Sequence, residues 1–398
     1  MKRIFKFCII ATILCININS CYSNTRDDCG STLIIDGSTH VTLQSKNANK
    51  IIEPASFAKL MTIAVVLDFL HDNKINLKQE VEITHDIWIK GGAPSGSSSM
   101  FTALNSKVSV ENLLKGLIID SANDAALALA KLIAGDETNF AKLMNNEAKR
   151  IGLKNSFYVN ATGLPQEGLQ QKTTLEDSML LMYYLKEHYP LYAAISKQST
   201  FGWSNITQLN KNFLLKKNNN KIIGLCGITA YNKIDHFMFL GCAQKNNRIV
   251  YIAFTDAYNK NNRIARALNL LNWAYTNFVF HMIVSKNTAI LKIPVFAGIS
   301  KEATVVAANS IYGLEDIKGE QLTHLKVRYK TPLIAPIHKN DIVGTIAVYS
   351  RGELKSTGFL ISNETIKATS FVKKFKAALY QITIGWFVNL VYYRFSNI

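Results

Sequence analysis

Hydrophobic and polar positions alternate over residues 31–45, around Leu33-Ile34-Ile35-Asp36-Gly37, and the β-branched content makes this stretch a hairpin. The pattern then changes period. Pro54 comes two residues before Ser56, and residues 60–70 are apolar nearly all round, which predicts a buried helix with Ser56 at its N-terminus. Residues 91–99, rich in Gly and Ser, read as a flexible loop. Ser109 is placed to cap a helix over 111–119, another helix is expected over 124–133, and Ser121-Ala122-Asn123 falls between them. Helical periodicity returns over 139–150, ending at Gly152, and over 175–185. Strand patterns follow at 222–225, 237–243 and 249–254, then a helix at 265–278. Strands at both ends of a helical insert predict an α/β sandwich whose sheet joins distant parts of the chain.

From Phe280 the texture becomes short alternating strands, such as Val343-Gly344-Thr345-Ile346-Ala347-Val348-Tyr349, and predicts a small all-β domain without a cluster of catalytic residue types. After residue 366 a terminal helix is expected, with Lys373, Lys374 and Lys376 at its start and an uncharged, aromatic-rich stretch over 377–393. Gln381, Gly385 and Asn389 share one face of it, so a helix lying on a membrane surface fits better than one crossing. At the other end, Met1-Lys2-Arg3 precedes an apolar run over 9–16 and a polar turn, the layout of an export signal. The expected organisation is therefore a signal at 1–23, a main domain at 24–279, an all-β domain at 280–365 and a membrane-anchoring amphipathic helix at 366–398.

The chain has 398 residues, 48% of them hydrophobic, which is enough for sizeable cores. Its formal charge of +17 is scattered along the whole length without aromatic interleaving, so it does not read as a nucleic-acid surface; attraction to anionic lipid or cell-wall polymer fits an exported protein better. No CxxC pair occurs, which argues against zinc and thioredoxin chemistry, and no metal or cofactor site is expected. Cys226 and Cys242 read as buried thiols, with a bridge between them as the alternative in an oxidising compartment. Gly-x-Ser-x-Gly, His-Glu-x-x-His and P-loop patterns are absent, which removes the α/β-hydrolase, zinc-protease and nucleotide readings.

Chemistry concentrates instead at Ser56-Phe57-Ala58-Lys59, where a nucleophile and an amine stand one helical turn apart. Ser370-Phe371-Val372-Lys373 matches the same pattern, so company decides between them. Ser121-x-Asn123, in a loop between two expected buried helices, is that company. With the flanking segments 53–62 and 108–125, Asn160-Ala161-Thr162-Gly163-Leu164, Asn210-Lys211-Asn212 and the β-domain stretch 335–345, the sequence resembles the low-molecular-mass penicillin-binding proteins, the D-alanyl-D-alanine carboxypeptidases of peptidase family S11. The resemblance implies a serine β-lactamase/DD-peptidase-like α/β fold. It also implies Ser56 as the acylated serine, Lys59 as general base, and Ser121 and Asn123 as supports for proton transfer and substrate positioning. Peptidoglycan stem peptide would be the substrate, β-lactams covalent inhibitors, and the outer face of the inner membrane the location.

The family's third motif, Lys-Thr-Gly on the strand lining the cleft, is matched here to Leu225-Cys226-Gly227, so that only Gly227 conforms. On this matching Cys226, Gly227 and Ile228 line the substrate cleft, with the amides of Ser56 and Ile228 as oxyanion donors. Arg263 resembles the family's carboxylate-recognising arginine. Loss of one polar contact in such a site costs about 2.7–4 kcal/mol. Two readings stay open: an active D-Ala-D-Ala carboxypeptidase, or a weakened homologue that binds peptidoglycan peptide or serves as a scaffold.

Overall fold

The computed structural model describes residues 30–216, 221–370 and 396–397; the expected export signal and most of the expected terminal helix lie outside the described residues. The alternating segment forms the hairpin of β1 (Thr32–Asp36) and β2 (Thr42–Lys46). The helical insert contains α1 (Ala58–His71), α2 (Asn123–Ala134), α3 (Glu137–Ile151) and α4 (Leu175–His188). A short helix at Pro190–Ser196 also appears, which the sequence pattern did not signal. Three long strands follow, β3 (Ile223–Asn232), β4 (His236–Lys245) and β5 (Arg248–Ala257), then α5 (Lys260–Asn277). The sheet is antiparallel in the order β2-β1-β5-β4-β3, so β1 pairs with β5 across most of the domain's length and β3 is an edge.

Period-two alternation assigns the two faces of this sheet. Tyr251 and Ala253 of β5 pack with the helical core around α1 and α2, whereas Val250, Ile252 and Phe254 pack with Ala267, Leu271 and Ala274 of α5. Helix α1 is the centre of the first core, with every residue from Ala58 to Leu67 buried. Truncating a side chain there, such as Leu60 to Ala, would cost about 2–5 kcal/mol. One charged residue, Lys59, is carried into that apolar surrounding. Behind the sheet, Arg248 donates to Asp36 at 2.6 Å and to the carbonyls of Ala274 and Phe278, which ties two strands, α5 and the start of the next domain together.

The all-β domain has a seven-stranded sheet, with Ile342–Ser350 and Glu353–Ser362 as its central hairpin, and a two-stranded pair of Phe278–Val284 with Ile311–Asp316. The helix expected from residue 366 does not begin there. Ile366 is buried and bridges to Ile337, and Ala368 bridges to Gly298, so burial in this core keeps the chain extended at that point. Among the described residues no helix is long and apolar enough to cross a membrane. Cys226 and Cys242 face one another across β3 and β4 as buried free thiols.

Candidate active site

Ser56 lies in a single 3-10 turn, Ala55–Phe57, that feeds directly into α1, and Lys59 occupies the first turn of the helix. Ala55 has a φ of 45°, a left-handed conformation that a non-glycine residue holds only when its surroundings demand it. Those surroundings include the turn at 160–164. Asn160 accepts from the amides of Thr162 and Gly163 and from the Thr162 hydroxyl, and donates to the Leu164 carbonyl. Gly163 is obligatory there, since its φ is 77° and a Cβ would fall 1.8 Å from the Ala55 carbonyl oxygen.

The same turn receives Lys59. Lys59 Nζ donates to the Thr162 carbonyl at 2.9 Å and stands 3.2 Å from Ser56 Oγ. Burial lowers the Lys59 pKa to about 7, against an opposing pull from Asp120. A substantial share of Lys59 is therefore free amine at neutral pH, in contact with the hydroxyl it would deprotonate.

The Ser121-x-Asn123 segment is placed by a local break in the helix that leads to it. Residues Val110–Lys115 are α-helical, Gly116–Asp120 form a π-turn, and Ser121 takes a left-handed φ of 58° before α2 starts. Asn123 donates from Nδ2 to Ser97 Oγ at 2.8 Å, and its amide donates to the Ser98 carbonyl at 2.8 Å. Asp124 anchors the loop over 95–102, accepting from Ser99 Oγ, the Met100 and Thr102 amides and Thr102 Oγ1. The segment expected to be flexible is thus a wired wall of the site. Ser121 Oγ and Asn123 Oδ1 are buried and have no hydrogen-bond partner among the described residues.

A cleft of about 850 Å³ brings Ser56, Lys59, Asn123 and Arg263 together; Ser121 stands in its wall, 6% exposed, and is not among the lining residues. Arg263, at the start of α5, stacks on Phe237 at 5.6 Å, and burial lowers its pKa to about 10, which leaves it cationic. Its Nε is buried and has no partner among the described residues.

The strand residues expected at the cleft are elsewhere. Cys226 is 1% exposed within the helical core, Gly227 abuts Asn212 and Phe239, and Ile228 borders a separate small cavity with Leu60, Ile63, Leu117 and Ile118. Thr229, Ala230 and Tyr231 border the cleft in their place. The physical reason is strand length: the apolar run at 222–225 is only the start of β3, which continues to Asn232 and meets Ser56 with its far end. Sequence reasoning also passed over Ser97, Thr162, Lys211 and Lys260 as lining residues. The quoted stretches 160–164 and 210–212 held the signal for two of them, while Ser97 was hidden in a loop read by composition alone.

The sequence matches the family D-alanyl-D-alanine carboxypeptidase over residues 20–258, and residues 278–373 match the C-terminal domain of penicillin-binding protein 5. The D-alanyl-D-alanine carboxypeptidase DacC of Escherichia coli (strain K12) is 32% identical over 352 residues, 86% of this chain and 86% of that protein. DacF of Bacillus subtilis (strain 168), of the same description, is 27% identical over 395 residues, 95% of this chain and 98% of that one. Among solved structures, penicillin binding protein 6B from Escherichia coli superposes with a TM-score of 0.63 at 26% identity, over 83% of this chain and 94% of that one. Penicillin binding protein 5 from Haemophilus influenzae has the same fold, with a TM-score of 0.69 at 24% identity, over 85% and 97% of the two chains. With a serine hydroxyl, a buried amine and a cationic cleft already in place, these matches settle the kinship: the chain belongs to the D-alanyl-D-alanine carboxypeptidase family of serine peptidases.

Proposed function

We propose that this protein removes the terminal D-Ala of peptidoglycan stem peptides through an acyl-enzyme on Ser56. The observation that carries the reading is the buried Lys59 amine, with its pKa near 7, at 3.2 Å from the Ser56 hydroxyl. Lys59 takes the Ser56 proton as Oγ bonds to the carbonyl carbon of the penultimate residue. The C–N bond to the terminal D-Ala then breaks, and the proton passes to the departing amine with Ser121 and Asn123 supporting the transfer. Water hydrolyses the resulting ester and frees Ser56. Arg263 receives the substrate's terminal carboxylate.

The third motif reads best as Ile228-Thr229-Ala230, three residues beyond the first matching. This register keeps the threonine and puts it on the cleft, and it moves the second oxyanion donor from the Ile228 amide to that of Tyr231. Edge strand β3 can pair with an extended peptide laid along the cleft. A β-lactam carbonyl would meet Ser56 in the same geometry and leave a stable ester. The export-signal layout at 1–23 and the lysine-flanked, aromatic-rich sequence over 377–393 support a location on the outer face of the inner membrane, held to its surface.

The test is to incubate the exported form with a β-lactam, map the adduct by mass spectrometry, and assay D-Ala release from a D-Ala-D-Ala peptide. An adduct on Ser56 together with release is expected. Folded protein that shows neither would overturn the proposal.

A further inference from the structure

Among the described residues that border the cleft, Lys211 pairs with a buried carboxylate, Asp120, on the π-turn that leads to Ser121. Its Nζ lies 3.0 Å from Asp120 Oδ1, and its amide donates to the Ile119 carbonyl at 2.9 Å, so two contacts pin residue 211 to the π-turn that delivers Ser121. Asp120 is 6% exposed and immediately precedes Ser121. On strand β3, where the third motif would bring a lysine, Ile228 is apolar and buried. The positive charge beside the second motif is therefore supplied from a different part of the chain.

We propose that Lys211 is a positioning residue acting through Asp120: the ion pair balances the carboxylate whose charge acts on Lys59, and so sets the pH range in which Lys59 accepts the Ser56 proton. The proposal rests on Ser56 and Lys59 being nucleophile and base.

The electrostatic surroundings are few. Lys59 is met by Ser56 from its own turn and by the Thr162 carbonyl from the 160–164 turn, and Asp120 on the π-turn acts on it through charge alone. Asp120 is paired with Lys211 and feels the charges of Asp124 and Lys59, and burial raises its pKa against the pull of Lys211. Lys233, Lys260, Arg263 and Glu53 border the same cleft. Asp120 alone would hold the proton on Lys59, because an anion favours the ammonium form; Lys211 opposes it. Removing a positive charge raises the pKa of every neighbour, and removing a negative one lowers it, so the two halves of the pair must shift the base in opposite directions.

The experiment measures the rate at which a β-lactam acylates Ser56, by mass spectrometry from pH 5 to 9, in the exported protein and in Lys211→Met, Asp120→Asn, the double variant and Lys211→Arg. Lys211→Met should move the acid limb to higher pH, so that acylation at pH 6 falls about threefold to tenfold while the alkaline plateau stays. Asp120→Asn should move the limb the other way, and the double variant should return to within about twofold of the parent across the range. Lys211→Arg keeps the charge and should leave the limb in place. A uniform fall at every pH in Lys211→Met, or a double variant that does not return, would overturn the proposal; if Lys211→Met does not fold, an unmoved limb in Asp120→Asn does so. A parent protein that is never acylated sinks the assignment of Ser56 first, and this proposal with it.

Discussion

The two walls of the cleft were built by different rules. On the helical wall, Ser56 and Lys59 are three residues apart on a turn leading into a helix, and Ser121 and Asn123 are two apart at a helix start, so local spacing nearly determines their geometry. On the strand wall, which residues meet the substrate depends on how far β3 runs and where it pairs. Shifting a strand by one residue exchanges its faces, and a shift of three also moves the contact about one strand-length of a short segment. On the proposed reading, the helical wall holds the chemistry in a short stretch of sequence and the strand wall holds the substrate through register.

If that division is right, the largest effect comes from the helical wall. Lys59→Met should lower kcat/KM for a D-Ala-D-Ala peptide by about 10²–10⁴-fold, the usual scale for loss of a general base. The same change should stabilise the fold, because it replaces a buried amine with an apolar side chain of similar length. The sign can be checked with pH. An unfolded lysine binds its proton below about 10.4, whereas folded Lys59 waits until about 7. Between those limits the unfolded state carries the extra proton, so lowering the pH destabilises the parent relative to Lys59→Met, and below about 7 the gap stops growing. Thermal melts of both proteins at pH 7 and pH 10 measure this; equal gaps at the two pH values would contradict the depressed amine.

The next effect belongs to the far side of the cleft. Arg263→Gln should reduce kcat/KM by about tenfold to a hundredfold, the worth of a charge-assisted hydrogen bond to a substrate carboxylate. A peptide amidated at its C-terminus should lose much less. Equal losses for the two peptides would remove Arg263 from carboxylate recognition and leave it packed on Phe237 only.

The same contrast explains what could be read from the sequence. The hairpin, the buried helix after Pro54, the caps at Ser109 and Gly152 and the mixed α/β architecture with a β module all left local patterns. The cleft's first two motifs were legible because a helix or turn spans only a few residues. The far end of β3 was not legible, since Thr229, Ala230 and Tyr231 continue the strand without the apolar run that marked its start. The Gly/Ser-rich loop over 91–99 was misread for another reason: composition signals backbone freedom, and the bonds from Asn123 and Asp124 that remove that freedom come from a distant segment. The Lys211–Asp120 pair likewise joins residues with no periodic relation.

The smallest expected effect is also the sharpest test of register. A lysine at position 228 would start from the small cavity beside Leu60, Ile63, Leu117 and Ile118, close behind the turn that carries Ser121, whose hydroxyl has no partner among the described residues. Ile228→Lys should therefore raise β-lactam acylation of Ser56 by about threefold to tenfold at pH 6, because a new cation near Lys59 favours the free amine. It should also lower the melting temperature, since part of a charged side chain is buried among apolar neighbours. Leu225→Lys places the same charge one strand segment earlier, at a position 8% exposed in the helical core. It should destabilise without any gain in acylation. A gain at 225 and none at 228 would restore the first matching of the third motif, and would mean that the strand wall reaches the substrate with its near end after all.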